Sequence, residues 1–430
     1  MVLSRIDFVN SERRRDRSVT YQVDFDCRLC DSTKLNCYLD LGTLPLADAF
    51  TTEPITDSEQ YYFPLKVNLC QDCGWSQLTH VISSEVLYQR DYPYDSTITK
   101  TGESHWLGFA SDVIRQYKLN LNDLVLDIGS NTGALLKQFK SLGMQIIGID
   151  PSSTAAEIAN RNGIETIPAF FSNSSANLVK QSMGLPKVIT ATNSFAHVDD
   201  LNAWASNVAS ILHAEGVLII ESPHILELVR FNQFDTVYHE HLSYVSLAPL
   251  IAFFHKHGLE IIQVDKQQIH GGSVRIHVAH SKAKPVTESV FVVLEEERSF
   301  GLRNLDRMRD FATDVSNIRK DFLAMLGNIH SEGKSVGIAS APAKGMTLIN
   351  YLGINASNIV GISDKSNLKI GRYAPGTKWM VISDKELLEL APDFIIILAW
   401  NFKKEIMQNL TDESNYSPRF IIPIPNPVIY

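Results

Sequence analysis

No apolar run in this 430-residue chain approaches the length that crosses a bilayer, which is about 20 residues. The longest, Phe394 to Trp400, has the length of one strand. A basic excess is also missing: 39 Lys and Arg stand against 48 Asp and Glu, a net charge of −9. That opposes a protein built to grip nucleic acid, which needs a basic face against the phosphates. Arg13, Arg14, Arg15 and Arg17 are followed by no apolar segment, so a secretory signal is not expected. These absences predict a cytoplasmic protein without membrane or nucleic-acid partners, with residues 1–22 as a flexible leader. The remaining length exceeds what one core usually serves and predicts two or three domains.

Cysteine is scarce, yet four of the five fall into two C-x2-C pairs, Cys27/Cys30 and Cys70/Cys73. Two thiolates on a tight turn hold one side of a tetrahedral ion, and a second such turn closes the shell. Four thiolates leave no open position, so the metal expected is a structural Zn2+. The intervening residues hold a strand, Tyr38 to Leu41, then a turn from Gly42 to Pro45. Cys37 reads as a small buried hydrophobe. The zinc module is expected over residues 23–95.

Near residue 123 the pattern becomes strand, glycine turn, helix. Leu124 to Ile128 is an apolar strand, Gly129 to Gly133 the turn, and Gln145 to Ile149 a second strand ending in Asp150. This is the βαβ opening of a doubly wound sheet, whose ligand lies at the carboxyl ends of the strands. The turn, D-x-G-x-x-x-G from Asp127 to Gly133, lacks the G-x-G-x-x-G that admits a pyrophosphate. The strand, turn and helix instead resemble motif I of class I methyltransferases. That resemblance implies S-adenosylmethionine, which has no phosphate, with Asp150 placed to accept both ribose hydroxyls. A nicotinamide cofactor and a ligand-free fold are the alternatives. The cofactor residues expected are Asp127, Gly129, Asn131, Gly133, Asp150, Phe170 as an adenine wall, and Asn193. The methyltransferase domain is expected over residues 96–284.

Tyr238-His239-Glu240-His241 is the densest group of titratable side chains. It is not H-E-x-x-H, so zincin chemistry is excluded, and general acid–base work is the leading reading. His270-Gly271-Gly272 is a turn able to bring backbone near a ligand, or a plain hairpin turn. Residues 285–330 read as a helical connector with Phe311, Val315, Ile318 and Phe322 on one face. Residues 331–430 then repeat the βα pattern. Lys334 to Ile338 is a strand, Ala339 to Gly345 a turn, and Met346 to Leu352 a helix. The turn is not a P-loop, but its N–H groups and Lys344 could hold a diphosphate at the helix N-terminus; a packing role alone is the alternative.

In this order, the motifs resemble the C-methyltransferases that act on nucleotide-linked 4-keto deoxysugars. The resemblance runs from about residue 24 to 430. It rests on C-x2-C with Leu39-x-Leu41-Gly42-x-x-Pro45-Leu46-Ala47, on Phe63-Pro-Leu65 before Cys70-x-x-Cys73-Gly74, and on Y-H-E-H, H-G-G-S and A-P-A-K-G. Tyr373-Ala-Pro-Gly376-Thr377 adds to it. It implies a class I methyltransferase core, Rossmann-like and α/β, preceded by a zinc module and followed by a second Rossmann-like domain that binds the nucleotide sugar. It also implies deprotonation beside the ketone by His241, supported by Tyr238, Glu240 and His197, with Tyr92 from the front module. Tyr94, His270, Gly271, Ser340 and Lys344 are the expected substrate contacts. His239 receives no role. Ser194-Phe195 and Pro223-His224 depart from the pattern, which leaves the pocket wall and the substrate open. A sugar O-methyltransferase, a zinc-ribbon RNA methyltransferase and a non-catalytic nucleotide-sugar-binding protein are the alternatives. Monomer and dimer are equally compatible with the sequence.

Overall fold

The computed structural model describes residues 21–56, 59–88, 100–354 and 358–430. Tyr92 and Tyr94 lie outside them. Two doubly wound sheets share the chain with a small antiparallel one. The central sheet has seven strands in the order Leu259–Gln267, Ser273–His280, Val217–Pro223, Val188–Thr192, Leu124–Ile128, Gln145–Asp150, Thr166–Pro168. All pairings are parallel except those of Ser273–His280, which is antiparallel to both neighbours. The strand order reverses between Leu124–Ile128 and Val188–Thr192, where a doubly wound sheet opens its ligand crevice.

The back sheet has six strands, in the order Val381–Ile382, Ile359–Ser363, Val336–Ala339, Phe394–Ile397, Arg419–Ile422, Val428–Ile429. Only the last pairing is antiparallel. Its order reverses between Val336–Ala339 and Phe394–Ile397, so a second crevice opens beyond Ala339.

The front module is a sheet of Leu35–Leu44, Phe63–Cys70 and Ser76–Leu78, completed by Ser243–Tyr244 from the central domain. The turn expected at Gly42 to Pro45 is instead strand as far as Leu44. A register shift between Asp40 and Thr43, with Gly42 at φ +81°, absorbs the irregularity. Cys37 is exposed rather than buried, because a register shift between Cys37 and Leu39 breaks the alternation of the strand and leaves Tyr38, Leu39 and Leu41 in the core.

Residues 285–330 form two helices, Glu288–Phe300 and Leu305–Ser331. The longer one is capped by Asn304, whose side chain accepts from the Asp306 and Arg307 N–H groups. It buries Met308, Phe311, Val315, Ile318, Phe322, Leu326 and Ile329 along one stripe, at the spacing of a single helical face. That stripe belongs to one apolar core with Leu39, Leu41 and Leu65 of the front module and Val336, Ile338 and Ile396 of the back sheet. It is a core element rather than a tether. Among the described residues, no helix is long and apolar enough to cross a membrane.

Candidate active site

A single cavity of about 870 Å3 runs from the carboxyl end of the central sheet to that of the back sheet. Of the expected cofactor residues, Asp127, Gly129, Asn131, Asp150, Phe170 and Asn193 line it. The turn after Leu124–Ile128 is shaped by contact. A Cβ on Gly129 would stand 2.5 Å from the Ser194 Cβ, and one on Gly133 2.7 Å from Ile164. Both also have positive φ, so only glycine fits. Gly133 thus serves packing and lies behind the cavity wall.

Asp150 accepts two backbone N–H bonds, from Asn131 at 2.8 Å and Ser152 at 2.9 Å. Each oxygen keeps a lone pair for a ribose hydroxyl. Burial raises its pKa against the pull of these N–H groups. Asp127 is more deeply buried and accepts from the Thr190 hydroxyl at 2.7 Å. Burial pushes its pKa up to about 7.

The same geometry recurs in the back domain. Asp364 follows the strand Ile359–Ser363 as Asp150 ends its own. Its Oδ2 accepts the Ala341 N–H at 2.7 Å and its Oδ1 the Ser366 N–H at 2.8 Å. Asp364, Ser366 and Lys369 line the same cavity. Neither Asp364 nor Lys369 was among the expected residues, although an acidic residue ending a second strand was the same signal that marked Asp150. Ser340 and Lys344 line the cavity as expected. The helix begins at Ala343 rather than Met346, so Lys344 stands in its first turn. Its ammonium donates to Asn401 Oδ1 at 2.5 Å and lies 4.6 Å from the Trp400 ring centre.

Tyr238, His197, His241 and His270 also line the cavity. His241 Nδ1 lies 2.8 Å from the Thr236 carbonyl, which can only accept, so Nδ1 carries the proton. Nε2 is then the lone-pair nitrogen, and the Tyr238 hydroxyl donates to it at 2.8 Å. Burial, with His197 beside it, lowers the His241 pKa well below the ordinary 6.5. The His197 ring meets it edge-on, centroids 5.0 Å apart. Burial likewise brings His197 and His270 down to about 4. The imidazoles are neutral at pH 7. Glu240 is buried but is not among the cavity-lining residues. Gly271 packs against Gln233 and Trp400, outside the lining.

The loop bearing His241 is held from both sides. The Leu242 carbonyl accepts from the Leu78 N–H at 2.9 Å, and His239 Nε2 lies 3.2 Å from the Phe63 carbonyl. His239 is therefore a tie to the front sheet. On the other side, Trp400 Nε1 donates to Asp235 at 2.7 Å.

The four expected zinc ligands converge. About 2.3 Å Zn–S bonds in a tetrahedron separate sulfurs by about 3.8 Å. Cys27 and Cys73 Sγ are 3.5 Å apart, Cys30 and Cys70 Sγ 3.7 Å, and all four lie within 4.8 Å of one another. None is in a disulfide. The set fits one structural Zn2+.

Strand order, crevice and the strand-end carboxylate define a class I methyltransferase core. Three family models match in tandem: a putative zinc binding domain over residues 27–88, a methyltransferase domain over 106–264, and a C-methyltransferase C-terminal domain over 268–425. The C-methyltransferase NovU of Streptomyces niveus is 32% identical over 403 residues, 94% of this chain and 96% of its own. The chain therefore belongs to the S-adenosylmethionine-dependent C-methyltransferases that carry a zinc module. A ubiquinone biosynthesis O-methyltransferase of Rhodopseudomonas palustris is 29% identical over 99 residues, 22% of this chain and 38% of its own. Among solved structures, the magnesium protoporphyrin IX methyltransferase of Synechocystis PCC 6803 is 15% identical, with 45% of this chain and 92% of that one covered at a TM-score of 0.34.

Proposed function

We propose that this enzyme methylates a carbon beside the ketone of a nucleotide-linked 4-keto-6-deoxysugar. The observation that carries the reading is the shared cavity: Asp150 and Asp364, with matching backbone contacts, open onto one space that also receives the Tyr238–His241 pair. A carboxylate so placed suits a ribose hydroxyl in each half, the cofactor's at Asp150 and the nucleotide's at Asp364. Lys344 and Lys369 carry the ammonium donors a diphosphate requires, beside Ser340, whose hydroxyl donates to the Ala339 carbonyl.

A ketone acidifies the C–H beside it. His241 Nε2, its other nitrogen fixed on Thr236, takes that proton as general base. The Tyr238 hydroxyl must leave Nε2 for the C–H to approach. It is then free to donate to the developing enolate oxygen, with His197 as a second donor. Donors aimed at a developing oxyanion usually contribute more to the rate than any other single effect. S-adenosylmethionine, when bound, supplies the methyl group that the enolate carbon takes up. Glu240 is buried behind that wall, and the family resemblance adds Tyr92 as a further active-site hydroxyl and Tyr94 as a substrate contact.

The test is incubation with S-adenosylmethionine and a panel of nucleotide-linked 4-keto-6-deoxysugars, with product analysis by mass spectrometry and NMR. A new C–CH3 group beside the ketone is expected. Methylation of a hydroxyl instead, or no transfer to any sugar of the panel, overturns the reading.

A further inference from the structure

Arg28 ties the zinc knuckle to the active-site wall by hydrogen bonds. Arg28 sits between Cys27 and Cys30, and its side chain is only 3% exposed. Its guanidinium donates to Asp199 Oδ1 at 2.8 Å and pairs with Asp24. Its backbone is engaged too: the Arg28 N–H donates to Gln77 Oε1 at 2.9 Å, and its carbonyl accepts from Asn202 Nδ2 at 3.1 Å. Gln77 is fully buried on the strand that pairs with Ser243.

Asp199 and Asn202 flank the end of one segment of cavity wall. The segment leaves the strand Val188–Thr192, carries Asn193, Ser194 and His197, and enters the helix Leu201–Ile211. Asn193, Ser194, His197, Val198, Asp199 and Asp200 all line the cavity. At its start the segment is pinned by Ser194, whose hydroxyl donates to the Ile128 carbonyl at 2.6 Å. At its end the pin from the front module is Arg28. A guanidinium offers several donors in a fixed plane and can hold two carboxylates at once.

We infer that Arg28 is a positioning residue, coupling the four-cysteine site to the wall that carries His197 and borders the cofactor. Metal in the knuckle fixes the turn Cys27–Cys30. The turn fixes Arg28, and Arg28 fixes the loop from His197 to Asp200. The four-thiolate site thereby acts on cofactor binding without touching the cofactor.

Removing Arg28 alone would take the cation away from the largely buried Asp24 carboxylate, which destabilises by itself. The test therefore uses Arg28→Gln together with Asp24→Asn, beside Arg28→Lys and Asp199→Asn in the full chain. Zinc content, melting temperature, affinity for S-adenosylhomocysteine by calorimetry, and KM for S-adenosylmethionine against kcat are measured for each. The double variant is expected to keep about one zinc per chain while binding S-adenosylhomocysteine about tenfold more weakly, the loss of one charge-assisted hydrogen bond. Asp199→Asn should show a similar loss, and combining it with the double variant should add little, since the two remove one interaction. Arg28→Lys should recover part of the affinity. Native affinity in the double variant at full zinc content overturns the inference. Loss of zinc and affinity together in every Arg28 variant also overturns it, since Arg28 would then serve only the knuckle's folding.

Discussion

The Tyr238 hydroxyl lies 2.8 Å from His241 Nε2, and the opposite nitrogen of the same ring is held 2.8 Å from the Thr236 carbonyl. One imidazole thus has its tautomer set by a backbone oxygen and its lone pair guarded by a phenol. The first prediction concerns this pair. Tyr238→Phe should lower kcat about tenfold, the effect of one neutral hydrogen bond lost in the transition state. It should leave S-adenosylhomocysteine affinity unchanged. His241→Asn should cost about 100-fold or more, the range of a missing general base. Steady-state kinetics with the methylated sugar as product checks both.

Acid should unfold the enzyme for an identifiable reason. His197, His239 and His270 are held near 4 by burial, and His241 is well below its ordinary 6.5. Below pH 6.5 the unfolded chain takes up protons on these rings, while the folded chain resists them until about pH 4. The unfolded state binds more protons in that window, so stability falls as pH drops through it. Thermal melts from pH 7.5 to 4.5 should show this decline. His239→Gln, which keeps a donor for the Phe63 carbonyl, should make it shallower.

The two strand-end carboxylates should separate the two ends of the cavity. Asp150→Ala should weaken S-adenosylhomocysteine about 10- to 100-fold, the range of one or two charge-assisted hydrogen bonds. Its KM for the sugar nucleotide should hardly move. Asp364→Ala should do the reverse. Calorimetry with S-adenosylhomocysteine and with nucleoside diphosphates reads each end separately.

Zinc removal should act through the core as well as the knuckles. Cys27 and Cys70 belong to the same apolar cluster as Trp75, Phe195 and Trp204, and Trp75 Nε1 donates to the Ser243 hydroxyl at 3.3 Å. Cys70→Ser should reduce metal from about one zinc per chain to little and lower the melting temperature. Plasma emission analysis and calorimetric melts measure the two effects.

What the sequence made legible was local. The four cysteines stood out by spacing, Asp150 by its place at a strand end, and Tyr238–His241 by density of titratable groups. The contacts that turn these residues into a site were not legible, because they join distant segments. Arg28 meets Asp199 across 171 positions, and Trp400 meets Asp235 across 165. His239 received no role from the motif. Only its bond to the Phe63 carbonyl assigns it to the front sheet. Asp364 was legible in principle, but its significance depends on a cavity that two separate sheets close together. The stripe from Met308 to Ile329 announced a helix, not that three parts of the chain would bury it in one core.

The most direct measurement is proton exchange at the substrate itself. The enzyme is mixed in deuterium oxide with S-adenosylhomocysteine and a nucleotide-linked 4-keto-6-deoxysugar, so that no methyl group is available, and the sugar is followed by proton NMR. The account predicts that one C–H beside the ketone exchanges with solvent, at a rate that falls at least about 100-fold in His241→Asn. Exchange that proceeds normally in His241→Asn, or a native enzyme that methylates the sugar while never exchanging that proton, would contradict it.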